Sequence, residues 1–448
     1  MIKQLLVLCT CAGLAIMPAS LSAQSAIWTN RYNGAGDNSD RFNQLVPDAA
    51  GNLYATGYTV KAGQGKDVLL SKLNSAGDTL WTRTYNYLSN LDDEANFVAI
   101  DPAGDIVIAG YSDAGSTSTK TDILLAKFSP DGTMIWLSRY NYAAANEDEL
   151  PAGLAIDASG NIFLTGRSDH DANNIDDCLT LKYSSAGVLS FEARYDQGST
   201  DRGAGVAPDQ AGGCVITGRT NNGVNDDIMT VAYDATGNQI WQVVFSGPGG
   251  DDRGQGIVRD ITGNIYITGI RASADDDDFV TIKYNAAGTQ QWFKIVNGGD
   301  NDRVTTIKID AADNIYITGQ SDTDPSGNTN YDFRTVAYSS AGVVLWNAVT
   351  ANPVGQEDVP NDIWVDASGN VYITGKSDAA GGGAIDYEWM TVKLNNLGVQ
   401  QWLKFYNGTS PNAEDIPGSI YADNAGNVWV AGSVDFTATQ KYATALKY

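Results

Sequence analysis

The stretch Asn264-Ile-Tyr-Ile-Thr-Gly269, entered through the turn Asp260-Ile-Thr-Gly-Asn264, recurs eight times along the chain with small changes. Its apolar and aromatic residues run almost without interruption, which is typical of a strand buried on both faces. The Thr-Gly pair at its end indicates the close approach of another backbone. The eight copies end at the motif glycines Gly57, Gly110, Gly166, Gly218, Gly269, Gly319, Gly375 and Gly432.

Each repeat predicts four short strands, which we label a to d. Strand a alternates, as in residues 303–310, and strand b is the motif itself. Strand c resembles residues 278–284, and strand d carries a tryptophan in seven repeats and Phe191 in the remaining one. The tryptophans recur at roughly the 50-residue period of propeller blades. They are Trp28, Trp81, Trp136, Trp241, Trp292, Trp346 and Trp402.

The two ends of the chain complement each other. Residues 27–33 read as an isolated strand d, and residues 442–448 read as a strand c. We expect the N-terminal strand to complete the last blade, because closing the ring removes exposed sheet edges. The sequence therefore predicts an all-β fold, a closed eight-bladed β-propeller of four-stranded blades, within a single domain at 24–448.

Residues 1–23 are predicted to be a signal peptide. Lys3 precedes an apolar run, Leu5 to Met17, that is too short to span a membrane, and small residues follow up to Ala23. We therefore expect an exported protein that is periplasmic, extracellular or at the cell surface. Nothing later in the chain is long and apolar enough for a transmembrane segment. Cys178 and Cys214 are interpreted as buried free thiols rather than a disulfide framework.

The net charge of the chain is −25. This charge makes nucleic acid and anionic membrane surfaces poor partners. It is typical of the soluble surface of an exported protein, and it also suits divalent cations or a basic partner. We expect a monomer.

The repeated pattern resembles the bacterial SBBP β-propeller repeat family over essentially all of residues 24–448, and residues 366–375 are a close example. The resemblance implies an exported bacterial protein in a surface or adhesive context, and it supplies no catalytic residues. A second resemblance is local: residues 230–241 are similar to the tryptophan-docking motif of quinoprotein dehydrogenases. We interpret that motif as tryptophan packing between blades.

One acidic position stands seventeen residues before each motif glycine, at the start of strand a. If strand a is innermost, these carboxylates form a ring at one mouth of the channel, where they are candidate ligands for Ca²⁺ or a cationic ligand. The alternative is a structural role, as a hydrogen bond at the strand start or an ion pair with a neighbouring arginine. The eight strand-start acids are Asp40, Asp93, Glu149, Asp201, Asp252, Asp302, Asp358 and Asp415.

The connections on this face, from d to a and from b to c, are long, variable and acidic, whereas those on the other face are short and uniform. Binding sites concentrate in variable loops on rigid scaffolds. The first hypothesis is therefore a non-enzymatic scaffold that binds a protein or glycan through the long-loop face. The alternative is a polysaccharide lyase or glycosidase that uses two mouth carboxylates, such as Asp252 and Asp302. His170 is the only histidine, and no catalytic residue or cofactor other than Ca²⁺ is indicated.

Overall fold

The computed structural model describes most of the predicted domain. The described residues are 26–34, 39–87, 91–115, 118–141, 148–169, 175–273, 276–299, 301–322, 330–352, 357–378, 386–410, 414–437 and 440–448. The predicted signal peptide and His170 lie outside these ranges.

The described residues form eight antiparallel four-stranded sheets, each with the order a-b-c-d. This confirms the prediction of an eight-bladed propeller. Blades 1 to 7 use consecutive strands, whereas blade 8 takes its strand d from the start of the chain.

The 32 strands match the repeat boundaries. The a strands are β2 (Arg41–Pro47), β6 (Asp93–Ile100), β10 (Glu149–Ile156), β14 (Asp201–Pro208), β18 (Arg253–Arg259), β22 (Asp302–Ile309), β26 (Asp358–Val365) and β30 (Ile416–Ala422). The b strands are β3 (Leu53–Val60), β7 (Ile106–Gly115), β11 (Ile162–Ser168), β15 (Cys214–Asn221), β19 (Ile265–Ala272), β23 (Ile315–Asp322), β27 (Val371–Asp378) and β31 (Val428–Thr437). The c strands are β4 (Lys66–Leu73), β8 (Ser118–Phe128), β12 (Asp177–Tyr183), β16 (Asp226–Tyr233), β20 (Asp277–Tyr284), β24 (Tyr331–Tyr338), β28 (Tyr387–Leu394) and β32 (Gln440–Lys447). The d strands are β1 (Trp28–Tyr32), β5 (Thr79–Tyr85), β9 (Met134–Tyr140), β13 (Leu189–Tyr195), β17 (Gln239–Phe245), β21 (Gln290–Val296), β25 (Val344–Thr350) and β29 (Gln400–Tyr406).

The two ends of the chain close the ring. β1 pairs antiparallel with β32, with Trp28 opposite Lys447. The Asp40 N–H of blade 1 donates to the Lys441 carbonyl of blade 8 at 2.8 Å. The predicted closure by the N-terminal strand is therefore confirmed.

Strand a is the innermost strand, because the a strands of neighbouring blades contact one another around the ring. Each a strand carries a β-bulge opposite the motif glycine, as between Gly254 and Gly256 opposite Gly269. A Cβ atom at Gly269 would overlap the Arg253 carbonyl oxygen. The close backbone approach predicted from the Thr-Gly pair is thus present, and only glycine fits at that point.

Tryptophans join six of the eight blades to the next. The Trp28 indole N–H donates to the Ser75 carbonyl of the next blade at 3.2 Å, and its ring covers Gly77 in the same c–d turn. The Trp81, Trp136, Trp241, Trp292 and Trp346 indoles donate to the following turns at 3.1–3.2 Å. This contact confirms the interpretation of the Gly-x-x-x-Trp pattern as packing between blades.

Apolar clusters fill the interfaces between neighbouring sheets. Cys178 and Cys214 lie in one such cluster with Phe163 and Tyr233, and both are buried free thiols. Burial raises the pKa of the Cys178 thiol to about 12. None of the described residues belongs to a helix long and apolar enough to cross a membrane.

Gly77 and Gly104 provide a matched test of the tryptophan contact. Both residues have a φ of +88°, but a Cβ at Gly77 would overlap the Trp28 ring, whereas nothing lies within 4 Å of a Cβ at Gly104. We expect Gly77→Ala to lower the free energy of unfolding by about 1–3 kcal/mol more than Gly104→Ala. A side chain strains the left-handed backbone at both positions, but only at Gly77 does it also overlap the Trp28 ring. Urea denaturation of both variants measures the difference. Equal losses would contradict the proposed contribution of the tryptophan contact.

Candidate functional site

The two faces of the ring differ in how their polar groups are used. On the tight-turn face, the Asp of every a–b turn accepts two backbone N–H groups with one oxygen. At Asp260, Oδ1 accepts the Thr262 N–H at 3.0 Å and the Asn264 N–H at 2.8 Å, and Oδ2 accepts from Asn264 Nδ2 at 2.7 Å. The other turns repeat the backbone contacts at Asp48, Asp101, Asp157, Asp209, Asp310, Asp366 and Asp423. These carboxylates are therefore committed to the turns themselves.

The eight strand-start acids lie on the opposite, long-loop face, where strand a begins. The structure places every one of them in the interior, with at most 1% of the residue exposed. They are Asp40, Asp93, Glu149, Asp201, Asp252, Asp302, Asp358 and Asp415. They are arranged around the ring as predicted, but their carboxylates face the protein rather than the channel solvent.

Hydrogen bonds within the blade explain this burial. All seven aspartates of the set accept a backbone N–H from the preceding d–a connection; the donor to Asp201 is Gln197, at 2.7 Å. Asp252 also accepts the Ala272 N–H at the end of strand b, at 2.8 Å. Glu149 instead accepts from the Ser168 hydroxyl at 3.2 Å. Like Asp252, Asp40 and Asp415 accept an N–H at the end of strand b, so these three aspartates tie the loop that enters a blade to strand b.

Burial sets the protonation of these groups. It raises the pKa of Asp415 to about 6 and that of Asp358 to about 7. Burial also raises the pKa of the neighbouring Glu388 to about 7, helped by the charges of Asp386, Asp358 and Asp415. Blades 7 and 8 therefore carry carboxyl groups that titrate near neutral pH.

The solvent-exposed acids lie one residue before the strand-start acids, and they were not predicted from the sequence. Asp251 and Glu414 expose 48% and 54% of their side chains. Because neighbouring residues of a strand point to opposite sides, burying the strand-start acid turns the preceding residue outward. That position is acidic in five of eight repeats, which is the signal that could have found it. We call this set the outer acids: Asp92, Asp148, Asp251, Glu357 and Glu414.

Several outer acids bridge two blades, because their side chains accept backbone N–H groups of the preceding blade. Asp92 accepts the Lys66 N–H and Asp148 the Thr121 N–H, both at 2.9 Å, from the preceding blade. Asp251 accepts the Asp226 N–H at 3.0 Å. These three acids are thereby held in place at the long-loop face. Other oxygen atoms of the set have partners on the same face: Asp251 pairs with Arg253, Glu414 with Lys441 at 3.6 Å, and Glu357 accepts the Tyr387 hydroxyl at 2.9 Å.

Arginines complete the rim on blades 4 to 6. Arg253 binds Asp226 of the preceding blade at 3.0 Å and Asp251 at 2.7 Å. Arg202 pairs with Asp176 in the same way, and Arg303 with Asp277 at 3.4 Å. These arginines pair with acids near the beginning of strand c of the preceding blade. The alternative raised from the sequence was a pairing with the strand-start acids.

The described residues contain no group of three or more His, Cys, Asp or Glu side chains placed to share a metal ion. Asp252 and Asp302, named for glycan cleavage, are buried with oxygens that accept backbone N–H groups. A glycosidase needs two carboxyl groups facing the substrate. The Ca²⁺ and ligand-binding roles of the strand-start acids stay predictions.

Residues 241–269 match the SBBP family model, described as a β-propeller repeat. These residues run from the docking tryptophan of blade 4 to the motif glycine of blade 5. The match confirms the resemblance at the level of the repeat. No curated protein matches the sequence of the chain.

Solved propellers resemble the chain at low identity. Sqt1 from Chaetomium thermophilum aligns with a TM-score of 0.58 and 9% identity, over 96% of this chain and 99% of that chain. A polysaccharide lyase described as an ulvan lyase aligns with a TM-score of 0.45 and 13% identity, over 92% and 96%. A Bacteroides caccae protein of unknown function aligns with a TM-score of 0.38 and 15% identity, over 64% and 92%. Of these, the likeness to Sqt1 shows the propeller fold and nothing further.

Two aspartates of blade 7 have pKa values that move in opposite directions. Burial raises the pKa of Asp358 from 3.8 to about 7. At Asp366 burial acts in the same direction, but hydrogen bonds from Asn370 and Ser368 outweigh it and lower the pKa. Folded Asp358 therefore holds its proton more tightly than the unfolded chain between pH 3.8 and about 7, so its contribution to stability falls as the pH rises through that window. The contribution of Asp366 is present above its unfolded pKa and is lost as the pH falls through its folded pKa.

We expect the stability of the wild type relative to Asp358→Asn to fall by about 1–3 kcal/mol as the pH rises from about 5 to about 8. Relative to Asp366→Asn, the stability should stay constant over that range and shrink under more acidic conditions. Urea denaturation of the three proteins across pH measures both differences. A pH-independent difference for Asp358→Asn would show that its carboxyl group is already ionised in the folded protein at low pH.

Proposed function

We propose that the chain is exported and acts as a non-enzymatic binding scaffold, whose long-loop face contacts a protein with a basic surface. The outer acids carry this proposal. Asp251 and Glu414 stand about half exposed at the rim of the ring, on the face where the connections vary from blade to blade. A surface of this sign attracts a basic partner and raises its association rate.

The rigidity of the rim supports binding rather than loop movement. Asp92, Asp148 and Asp251 accept backbone N–H groups of the preceding blade, Glu357 accepts the Tyr387 hydroxyl, and the strand-start acids below them fix the d–a connections. A binding surface held in this way loses little conformational freedom when the partner docks. The tight-turn carboxylates are already occupied by their turns, so they offer a matched surface for comparison.

The test compares two triple variants with equal changes in charge. Asp251→Asn, Glu357→Gln and Glu414→Gln remove three outer acids. Asp78→Asn, Asp131→Asn and Asp313→Asn remove three acids from the tight-turn face, and the left-handed backbone of Asp313 (φ 60°) accepts asparagine.

Exported proteins of the source organism are captured on the immobilised wild-type chain and identified. Each captured protein is then purified and titrated against the wild type and both triple variants at several salt concentrations. We expect about a tenfold loss of affinity for the outer-acid variant, which corresponds to about 1.4 kcal/mol, and a weaker salt dependence. The tight-turn variant should bind like the wild type.

Two results would refute the proposal. One is equal loss in both triple variants, which would mean that net charge rather than the rim attracts the partner. The other is a purified partner whose binding is lost only in the tight-turn variant. A neutral glycan that binds the long-loop face while no protein does would assign the face to glycan recognition instead.

A further inference from the structure

A second feature lies inside the channel, toward the tight-turn face. Eleven residues before the motif glycine, strand a carries a small aliphatic residue in five consecutive blades. These are Val46, Ala99, Ala155, Ala207 and Val258. The next three blades carry Lys308, Trp364 and Tyr421 at the same position. Since strand a is innermost, the change from small to large residues places an aromatic wall on one side of the channel only.

The three large residues form one continuous group with a fourth behind them. The Trp364 and Tyr421 ring centroids lie 4.6 Å apart at 60°, and Tyr421 stacks on Trp429 at 5.7 Å and 27°. The Lys308 ammonium lies 5.8 Å from the centre of the Trp364 ring. Lys308, Trp364 and Tyr421 are all half-buried. Trp364 and Tyr421 pack with one part of their rings against the apolar clusters between blades and keep another part exposed.

At this place strand b of blade 8 differs from strand b of the three blades before it. In blades 5, 6 and 7 the tyrosine of strand b donates its hydroxyl to the turn aspartate, as Tyr372 does to Asp366 at 3.0 Å. Trp429 replaces that tyrosine and is 3% exposed, and its indole N–H has no acceptor among the described residues. A buried donor without a partner destabilises the fold. Residues that depart from the local pattern without forming a compensating contact are expected at functional sites.

The charge at the wall points to the chemistry of the ligand. Lys308 forms no ion pair with any described carboxylate, although the chain has 53 acidic and 28 basic residues. Its ammonium lies beside the Trp364 ring, where its positive charge disfavours a cationic ligand. An anionic group beside a flat, partly apolar body is the complement of a lysine next to two aromatic rings.

We infer that Lys308, Trp364 and Tyr421 bind a sugar ring that carries a carboxylate or a sulfate. The C–H face of a sugar packs against the aromatic rings, and the acidic group pairs with the Lys308 ammonium. The small residues at the same level of blades 1 to 5 leave the opposite side of the channel open. This site lies at the other mouth from the outer acids, so it is a second function and does not depend on the proposed protein partner.

Matched oligosaccharides test the site. The probes are oligogalacturonate, its fully methyl-esterified form, an alginate oligomer and a chondroitin sulfate oligomer, each titrated by calorimetry and by tryptophan fluorescence. We expect saturable binding of at least one acidic probe. If that probe is oligogalacturonate, its ester should bind about tenfold more weakly, because the ester has the same ring without the charge. Because chondroitin sulfate carries both carboxylates and sulfates, its comparison with unsulfated chondroitin, which keeps the carboxylates, shows whether the sulfate is the group bound.

Three variants separate the roles of the residues. Trp364→Ala should weaken binding by at least about tenfold, and Trp364→Phe should retain most of it. Lys308→Gln should weaken binding of the acidic probe by about tenfold, and where the ester binds, should leave that binding unchanged. The outer-acid triple variant should bind the sugar like the wild type, which keeps this test independent of the protein partner. Thermal melts confirm that each variant is folded.

The inference is overturned if none of the acidic probes binds the wild type in a saturable way. It is equally overturned if folded Trp364→Ala binds like the wild type, or if Lys308→Gln binds the acidic probe as tightly as the wild type does.

Discussion

Six of the eight blades of this propeller are joined to the next by a flat indole that lies on a glycine, and in blade 3 Phe191 takes the place of the indole. The tryptophan of strand d covers the turn glycine of the following blade and donates its N–H to a carbonyl of the same turn, as Trp241 does to Ala286. Both halves of the contact come from one short pattern, Gly-x-x-x-Trp, because the turn that receives one tryptophan carries the next. The ring can therefore be extended by copying a single repeat.

Because this contact holds neighbouring blades together, residues elsewhere in the blade can differ between repeats. The turn aspartates, the bulge opposite each motif glycine and the buried strand-start acids all repeat with little change, since every blade meets the same neighbours. The long-loop connections enter these contacts through backbone N–H groups, so their side chains can differ from blade to blade. Differences between blades accumulate there, and both proposed binding surfaces are built from such differences.

The fold could be predicted almost completely from the sequence because its determinants are local and repeated eight times. Strand b, the turn glycines and the closing strand were all recognisable as patterns. The position of the functional surface was harder to predict. The strand-start acids were recognised as a set that repeats in every blade. The sequence does not show whether their side chains point into the protein or into the channel. Their even repetition marked a structural role, whereas the less regular Asp251 and Glu414 one residue earlier reach solvent.

The channel wall could not be recognised at that stage for a related reason. Lys308, Trp364 and Tyr421 look like unremarkable members of three strands until the ring places the three blades side by side. Only the structure shows that Trp364 and Tyr421 contact each other and that the Trp429 indole lacks an acceptor. A departure from a repeat is informative when its neighbours in space, rather than in sequence, depart as well.

The pairing of β1 with β32 also constrains the order of folding. Trp28 is among the first residues of the described chain to be synthesised, and its strand partner Lys447 is among the last. Blades 1 to 7 can assemble as their strands emerge, but β1 stays unpaired until β32 has been synthesised. Such long-range pairing slows folding and leaves strand edges open to other chains in the meantime. The last blade is therefore the one whose sheet is completed only when two segments distant in the sequence meet.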